Sequence, residues 1–119
     1  MTIDELVEAA VTHAKAKGFS TDLVNNPDKV CKALLLIHEE VAEAGMAFAK
    51  HGTLAYYTKD AQGLDKPEGL AIELADVLLR IANLCGALSL DLEEAVKEKH
   101  IYNLTRPWRH SKPGPEGPG

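Results

Sequence analysis

Apolar residues recur along this chain at steps of three and four, and no stretch alternates in the two-residue rhythm of a strand. The first helical run is predicted at about residues 3–17. Thr2 and Glu5 make a capping box at its start, and Gly18 stands where a C-terminal glycine is expected. The second run takes Asn26 as N-cap and Pro27 as its first helical residue. It continues to about Lys50 and stops before Gly52. Its apolar seam is Val30, Leu34, Ile37, Val41, Ala44 and Phe48. Residues 52–66 carry turn chemistry without a period and read as a mobile loop. Asp65 and Glu68, with Pro67 between them, predict the start of a third helix running to about Leu88. That helix is apolar on nearly all sides, so it belongs at the centre of an assembly. Asp91 and Glu94 cap a fourth helix that reaches about Asn103, and Pro107 ends any continuation. The expected architecture is an all-α bundle of about four helices in one domain, residues 1–110. The Pro/Gly-rich tail, residues 111–119, is expected to be disordered.

Composition sharpens this picture. Hydrophobic residues make up 45% of the 119 residues but aromatics only 5%, with Ala and Leu abundant, which favours packed helices over sheets. The net charge of −5 argues against a general DNA or RNA surface, although a phosphate ligand is still permitted by local cations or a metal. Cys31 and Cys85 lie in apolar helical runs with no metal-binding spacing. They are expected to be buried free thiols in a reducing, cytoplasmic setting. The N-terminus lacks a basic-then-apolar signal pattern, which leaves the Asn103-Leu104-Thr105 triplet without weight as a glycosylation site. Residues 70–88 are apolar enough to suggest a membrane span, but Glu73, Asp76 and Arg80 inside them speak against one.

The chemistry concentrates in two acidic clusters on these apolar helices. Glu39, Glu40 and Glu43 form the first, Glu73 and Asp76 the second. Glu40/Glu43 and Glu73/Asp76 are each three residues apart, so each pair projects from one side of its helix. Carboxylates in apolar surroundings are costly unless a positive group meets them, and few basic residues are near in sequence. Four converging oxygens would suit Mg²⁺, with Mn²⁺ as a substitute. Glu40 and Glu43 lie at the edge of the second helix's apolar face, while Glu39 points further round. Glu39 is therefore a looser choice, either a further ligand or a base acting on water. On the third helix Glu73, Asp76, Arg80 and Asn83 make one polar stripe among apolar neighbours. The plainer alternative is a solvated acidic face in which Arg80 neutralises Asp76 at i+4. A di-iron centre would need Glu-x-x-His pairs, and no Glu here has a His three residues later.

The only dense basic segment is C-terminal. Lys99, Asn103 and Arg106 follow at i, i+4 and i+7, and Arg109, His110 and Lys112 come next. Such a set could grip phosphate oxygens, or it could simply match cations to a helix C-terminus. Trp108 could stack on a base or anchor the tail.

Taken in order, these segments resemble the all-α nucleoside triphosphate pyrophosphohydrolases, specifically the small MazG-like proteins. The family motif E-E-x-x-E followed by E-x-x-D stands here as Glu39-Glu40-x-x-Glu43 and Glu73-x-x-Asp76. The run from Lys99 to His110 is similar to a K-x-x-Y-N-x-x-R-P-x-x-H signature, and Lys17-Gly18-Phe19 looks like the family's helix-one ending. The resemblance covers roughly residues 5–110, with a longer gap between the acidic motifs than in many members. It implies a MazG-like bundle assembled as a dimer or a dimer of dimers. It also implies Mg²⁺-dependent cleavage of nucleoside triphosphates to monophosphate and pyrophosphate. Glu40, Glu43, Glu73 and Asp76 would be the metal ligands, and Glu39 an added ligand or the water-activating base. Lys99, Asn103 and Arg106 would contact phosphates, and Arg80, Asn83, Trp108 and His110 could also touch substrate. No Ser, Cys or Lys shows an activating constellation, so direct water attack is preferred to a covalent intermediate.

The third helix lacks a wholly polar side, which predicts a homo-oligomer whose pocket draws on more than one chain. Rival readings are a dUTP or phosphoribosyl-ATP pyrophosphohydrolase of the same superfamily, or a non-catalytic helical interaction module. One further expectation concerns charge. Without metal the acidic cluster should repel itself, so Glu40→Gln or Asp76→Asn should raise the stability of the metal-free protein.

Overall fold

The computed structural model describes residues 1–18 and 23–107. Phe19, Trp108, Arg109, His110, Lys112 and the tail 111–119 lie outside the described residues. Helix α1 spans Ile3–Ala16 and begins with the expected capping box. Thr2 Oγ1 accepts from the Glu5 N–H at 3.0 Å, and Glu5 Oε1 accepts from the Thr2 N–H at 2.8 Å. The same bonds hold the Glu5 carboxyl below its ordinary pKa, because the backbone and side-chain contacts with Thr2 favour the charged form. Helix α2 spans Pro27–His51. Asn26 occupies the N-cap without a side-chain bond, and Gly52 closes the helix at φ 63°, donating to the Phe48 carbonyl at 2.7 Å. The left-handed turn at that end is why a glycine stands there.

The segment after α2 departs from the expected loop. It forms an antiparallel hairpin, β1 (Tyr56–Lys59) and β2 (Asp65–Glu68), with Tyr56 opposite Glu68 and Lys59 opposite Asp65. The Asp60 carboxylate accepts from the Gln62 and Leu64 N–H groups, both at 2.9 Å, and Gly63 takes φ 80°, which together set the turn. The fold is mostly helical, as expected, with a small two-stranded sheet added to the four helices. The expected capping box at Asp65 and Glu68 does not form, because both residues belong to β2.

Helix α3 starts instead at Leu70 and runs to Ala87. Gly69, at φ 106°, lets the chain pass so close to the 53–54 segment that an added Cβ would lie 2.6 Å from the Leu54 carbonyl oxygen. The Leu70 and Ala71 N–H groups then donate to the Thr53 and Leu54 carbonyls at 3.3 and 3.1 Å. As expected, α3 is central, with α1 and α2 each packing along it. Gly86 makes room for Val11 and Val7 of α1, and a Cβ there would collide with Val11. A turn through Ser89 leads into α4 (Leu92–Thr105), where Asp91 Oδ1 accepts from the Glu94 N–H at 3.1 Å. Helix α4 leans on α1, and the Asp4 N–H donates to Glu93 Oε1 at 3.3 Å. Desolvation, then the contact with Glu93, push the Asp4 carboxyl up from its usual pKa.

The core consists of small side chains: Ala10, Ala14, Ala44, Val77, Ala82, Leu84, Cys85 and Ala87 are buried, and no large side chain is fully enclosed among the described residues. The face of α2 against α3 is Val30, Ala33, Ile37, Glu40 and Ala44. Leu34, Val41 and Phe48, expected in that seam, are exposed instead, as are Leu74 and Leu78 of α3 at 51% and 49%. Burial raises the Cys85 thiol pKa, but Cys31 is exposed on α2, so only one of the two cysteines is buried as expected. The phase of α2 explains this: Cys31 follows Val30 by one residue, about 100° round the helix from the packed face. Among the described residues no helix is long and apolar enough to cross a membrane.

Candidate functional site

Helices α2 and α3 run antiparallel, and the order of their contacts fixes where each polar side chain falls. Nearest the hairpin, Ala44 and Ala47 share a small pocket with Glu73. Midway, Glu40 Oε1 meets Arg80 Nη2 at 3.1 Å. Further on, Leu36 and Ile37 face Asn83 and Leu84 across a groove. Because the helices are antiparallel, the step from Glu40 to Glu43 and the step from Asp76 back to Glu73 lead the same way, toward the hairpin.

Arg80 joins the two acidic clusters. Its Nε lies 3.9 Å from Asp76 Oδ2 while its Nη2 holds Glu40, so one guanidinium serves a carboxylate from each helix. The i+4 pair with Asp76 is the one the sequence suggested. The shorter bridge to Glu40 is tertiary and had no local signal. Among the described residues no ion pair reaches Glu43 or Glu73. Glu39 is exposed on the outer flank of α2, about 200° round from Ile37. Among the described residues no three His, Cys, Asp or Glu side chains gather closely enough to hold a metal.

A trough runs along α3 between α1 and α2, floored by Arg80 and Asn83. On the α2 side it is a groove of about 330 Å³ walled by Leu23, Lys29, Lys32, Leu36 and Leu84. On the α1 side it is a groove of about 450 Å³ walled by Ala9, Ala10, His13 and Ala14, with Asp76 and Leu79 from α3. Asn83 lines both sides of the trough, and its Oδ1 is buried without a hydrogen-bond partner among the described residues. A buried amide oxygen left unpaired is costly.

Three of the residues lining the trough, Lys29, Lys32 and His13, were not foreseen. A signal for the lysines existed: Lys29, Lys32, Leu36, Glu40 and Glu43 follow at steps of three and four, so the acidic stripe of α2 continues into two cations.

The described members of the C-terminal basic set sit elsewhere. Lys99 and Arg106 flank the Tyr102 ring, their charged groups 5.0 and 5.4 Å from its centre. Lys99 and Asn103 share a shallow groove on α4 with Ala95, Val96 and His100, and the Asn103 Oδ1 is also buried without a partner among the described residues. No α4 residue lines the grooves that contain Arg80 or Glu73. The sequence matches no protein-family model, and comparison with curated proteins and with solved structures yields no match.

Proposed function

We propose that this chain is a Mg²⁺-dependent nucleoside triphosphate pyrophosphohydrolase, releasing nucleoside monophosphate and pyrophosphate. The observation that carries this reading is the meeting of Glu40 and Asp76, from two antiparallel helices, on one guanidinium, with Glu43 and Glu73 one turn further along. The ordered resemblance of the two acidic motifs and the Lys99–His110 segment to MazG-like proteins supports it from the sequence side.

By ligand type the donor set suits the metal, and binding it would require the four carboxylates to draw together, since no three of them gather among the described residues. All four groups are hard carboxylate oxygens without a thiolate or imidazole among them, which is Mg²⁺ chemistry, with Mn²⁺ as a substitute. Arg80 stands between two of them as a cation already in place. Glu40, Glu43, Glu73 and Asp76 would hold Mg²⁺, which when bound neutralises polyphosphate charge and acidifies an attacking water. Glu39 is assigned as proton acceptor or as a further ligand. Water adds to phosphorus, the P–O anhydride bond breaks, and the electron pair leaves with pyrophosphate, whose charge Arg80 and nearby cations stabilise. Closely related substrates such as dUTP or phosphoribosyl-ATP would use the same groups.

The site is completed by a second copy in this reading. Helix α4 carries Lys99, Asn103 and Arg106 away from its own trough, and Leu34, Val41, Leu74 and Leu78 leave an apolar face open on α2 and α3. A homodimer, or a dimer of such dimers, would cover that face and bring a partner's α4 to the carboxylates. The same open face also favours a second reading, a helical interaction module without catalysis.

The test is pyrophosphate release from a panel of dNTPs and NTPs, with Mg²⁺ and with EDTA. Metal-dependent monophosphate and pyrophosphate establish the reaction. No turnover of any nucleotide, with no effect of Mg²⁺ or Mn²⁺ on melting and unchanged melting in Glu73→Gln, favours the interaction module instead.

A further inference from the structure

The trough on α3 is asymmetric in charge. Among the described residues its α2 side is lined by Lys29, Lys32 and Arg80 and by no carboxylate. Its α1 side has alanines, His13 and Asp76. In a chain of net charge −5, two lysines without an ion-pair partner among the described residues share this groove with Arg80, which also bridges Glu40 and Asp76. Lys29 and Lys32 also sit in the first two turns of α2, whose N-terminus adds its own positive end. Arg80 is common to both sides, so a ligand reaching from the carboxylates into the Lys groove passes over it. Asn83 closes the floor.

We infer that the Lys29–Lys32–Arg80 groove is the cradle for the terminal diphosphate of the substrate, and hence for pyrophosphate as product. This inference rests on reading the trough as a triphosphate site, and it gives that site a direction. The scissile phosphorus lies by the carboxylates, the leaving diphosphate toward α2, and the nucleoside toward the alanine-lined α1 side. The groove, about 330 Å³, has room for a compact anion such as a diphosphate. Two ammonium groups suit such a ligand, because each is a movable point charge that can follow a phosphate as it departs.

The experiment measures binding of inorganic pyrophosphate to the full chain by calorimetry in Mg²⁺, for wild type, Lys29→Ala/Lys32→Ala, and Lys97→Ala as a control on exposed α4. Both target lysines are exposed, so folding should survive, and circular dichroism checks this. The expected result is pyrophosphate binding weakened by about tenfold or more in the double variant and unchanged in the control, since charge-assisted hydrogen bonds are lost. The double variant should also lose product inhibition by pyrophosphate. Equal pyrophosphate affinity in wild type and double variant overturns the cradle, as does a wild type that binds no pyrophosphate. Turnover of nucleotides is scored separately. A wild type that hydrolyses triphosphates while the double variant keeps its affinity refutes the cradle alone. A wild type that binds pyrophosphate through the lysines but hydrolyses nothing refutes the proposed activity alone.

Discussion

Replacing Glu40 by Gln tests whether Arg80 or mutual repulsion governs the acidic cluster before metal binds. Repulsion alone would make every carboxylate-to-amide change stabilising. The structure reverses that sign for Glu40. Its side chain is only 21% exposed and lies 3.1 Å from Arg80, whereas Asp76 is 51% exposed at 3.9 Å. Two unit charges about 4 Å apart interact by about 1 kcal/mol in water and about 4 at the effective dielectric of a protein surface. Ordering and desolvation offset most of this, and measured partly exposed pairs retain roughly 0.2–1 kcal/mol. The shielded Glu40 pair belongs at the upper end, so Glu40→Gln should lower metal-free stability by about 1 kcal/mol. Asp76→Asn loses a longer, more open contact and gains relief from Glu73, so it should change stability by less than about 0.5 kcal/mol. Glu73→Gln removes a charge with no ion-pair partner among the described residues and should be stabilising by a few tenths, about 0.2–0.5 kcal/mol. The assay is urea unfolding in EDTA at one fixed protein concentration, with unchanged m-values as the control for compactness. Stabilisation by Glu40→Gln as large as that by Glu73→Gln would refute the reasoning, because Arg80 would then be no effective counter-ion.

Three further outcomes are expected. Gly86→Ala should destabilise by about 1–3 kcal/mol in thermal or urea melts, because the new methyl meets Val11 and forces α1 away from α3. The Glu5 carboxyl is held below its ordinary pKa in the folded state, so its contribution is present at neutral pH and fades as pH falls through the folded value. Glu5→Gln should therefore unfold with a shallower acid dependence than wild type in that window, and an unchanged pH profile would contradict it. Leu74→Glu/Leu78→Glu should convert a homo-oligomer to monomer in light scattering and reduce turnover with it. A monomeric wild type with full activity would remove the case for a shared site.

Legibility followed locality. The capping box of Thr2 and Glu5, the Asn26-Pro27 start, the Gly52 stop and the Asp91 cap all act within four residues, and each could be read directly. The hairpin could not. Its strands are four residues each, exposed along nearly their whole length, and β2 contains Pro67, so neither alternation nor burial marks them. What did mark it was turn chemistry, Asp60 and Gly63, between Tyr56-Tyr57-Thr58 and Lys66. The start of α3 was misplaced because Asp65 and Glu68 imitate a capping box while Gly69's close pass over Leu54 decides the matter. At the site, the acidic residues were legible by spacing. The Arg80–Glu40 bridge and the entry of Lys29 and Lys32 into the trough depend on how α2 is rolled against α3, and that roll places Leu34 and Val41 outward.

Five of the eight buried core residues are alanine, and glycine stands at the α1–α3 crossing. Such an interior has few methyl groups to lose, so trimming mutations, the usual cause of damage in a core, have little to act on. Harm comes from growth. A single-base change turning Ala10, Ala44, Ala82 or Ala87 into valine adds bulk where helices nearly touch. Sequence drift in the interior of this protein is therefore restrained from one side, against gain of bulk rather than loss of it.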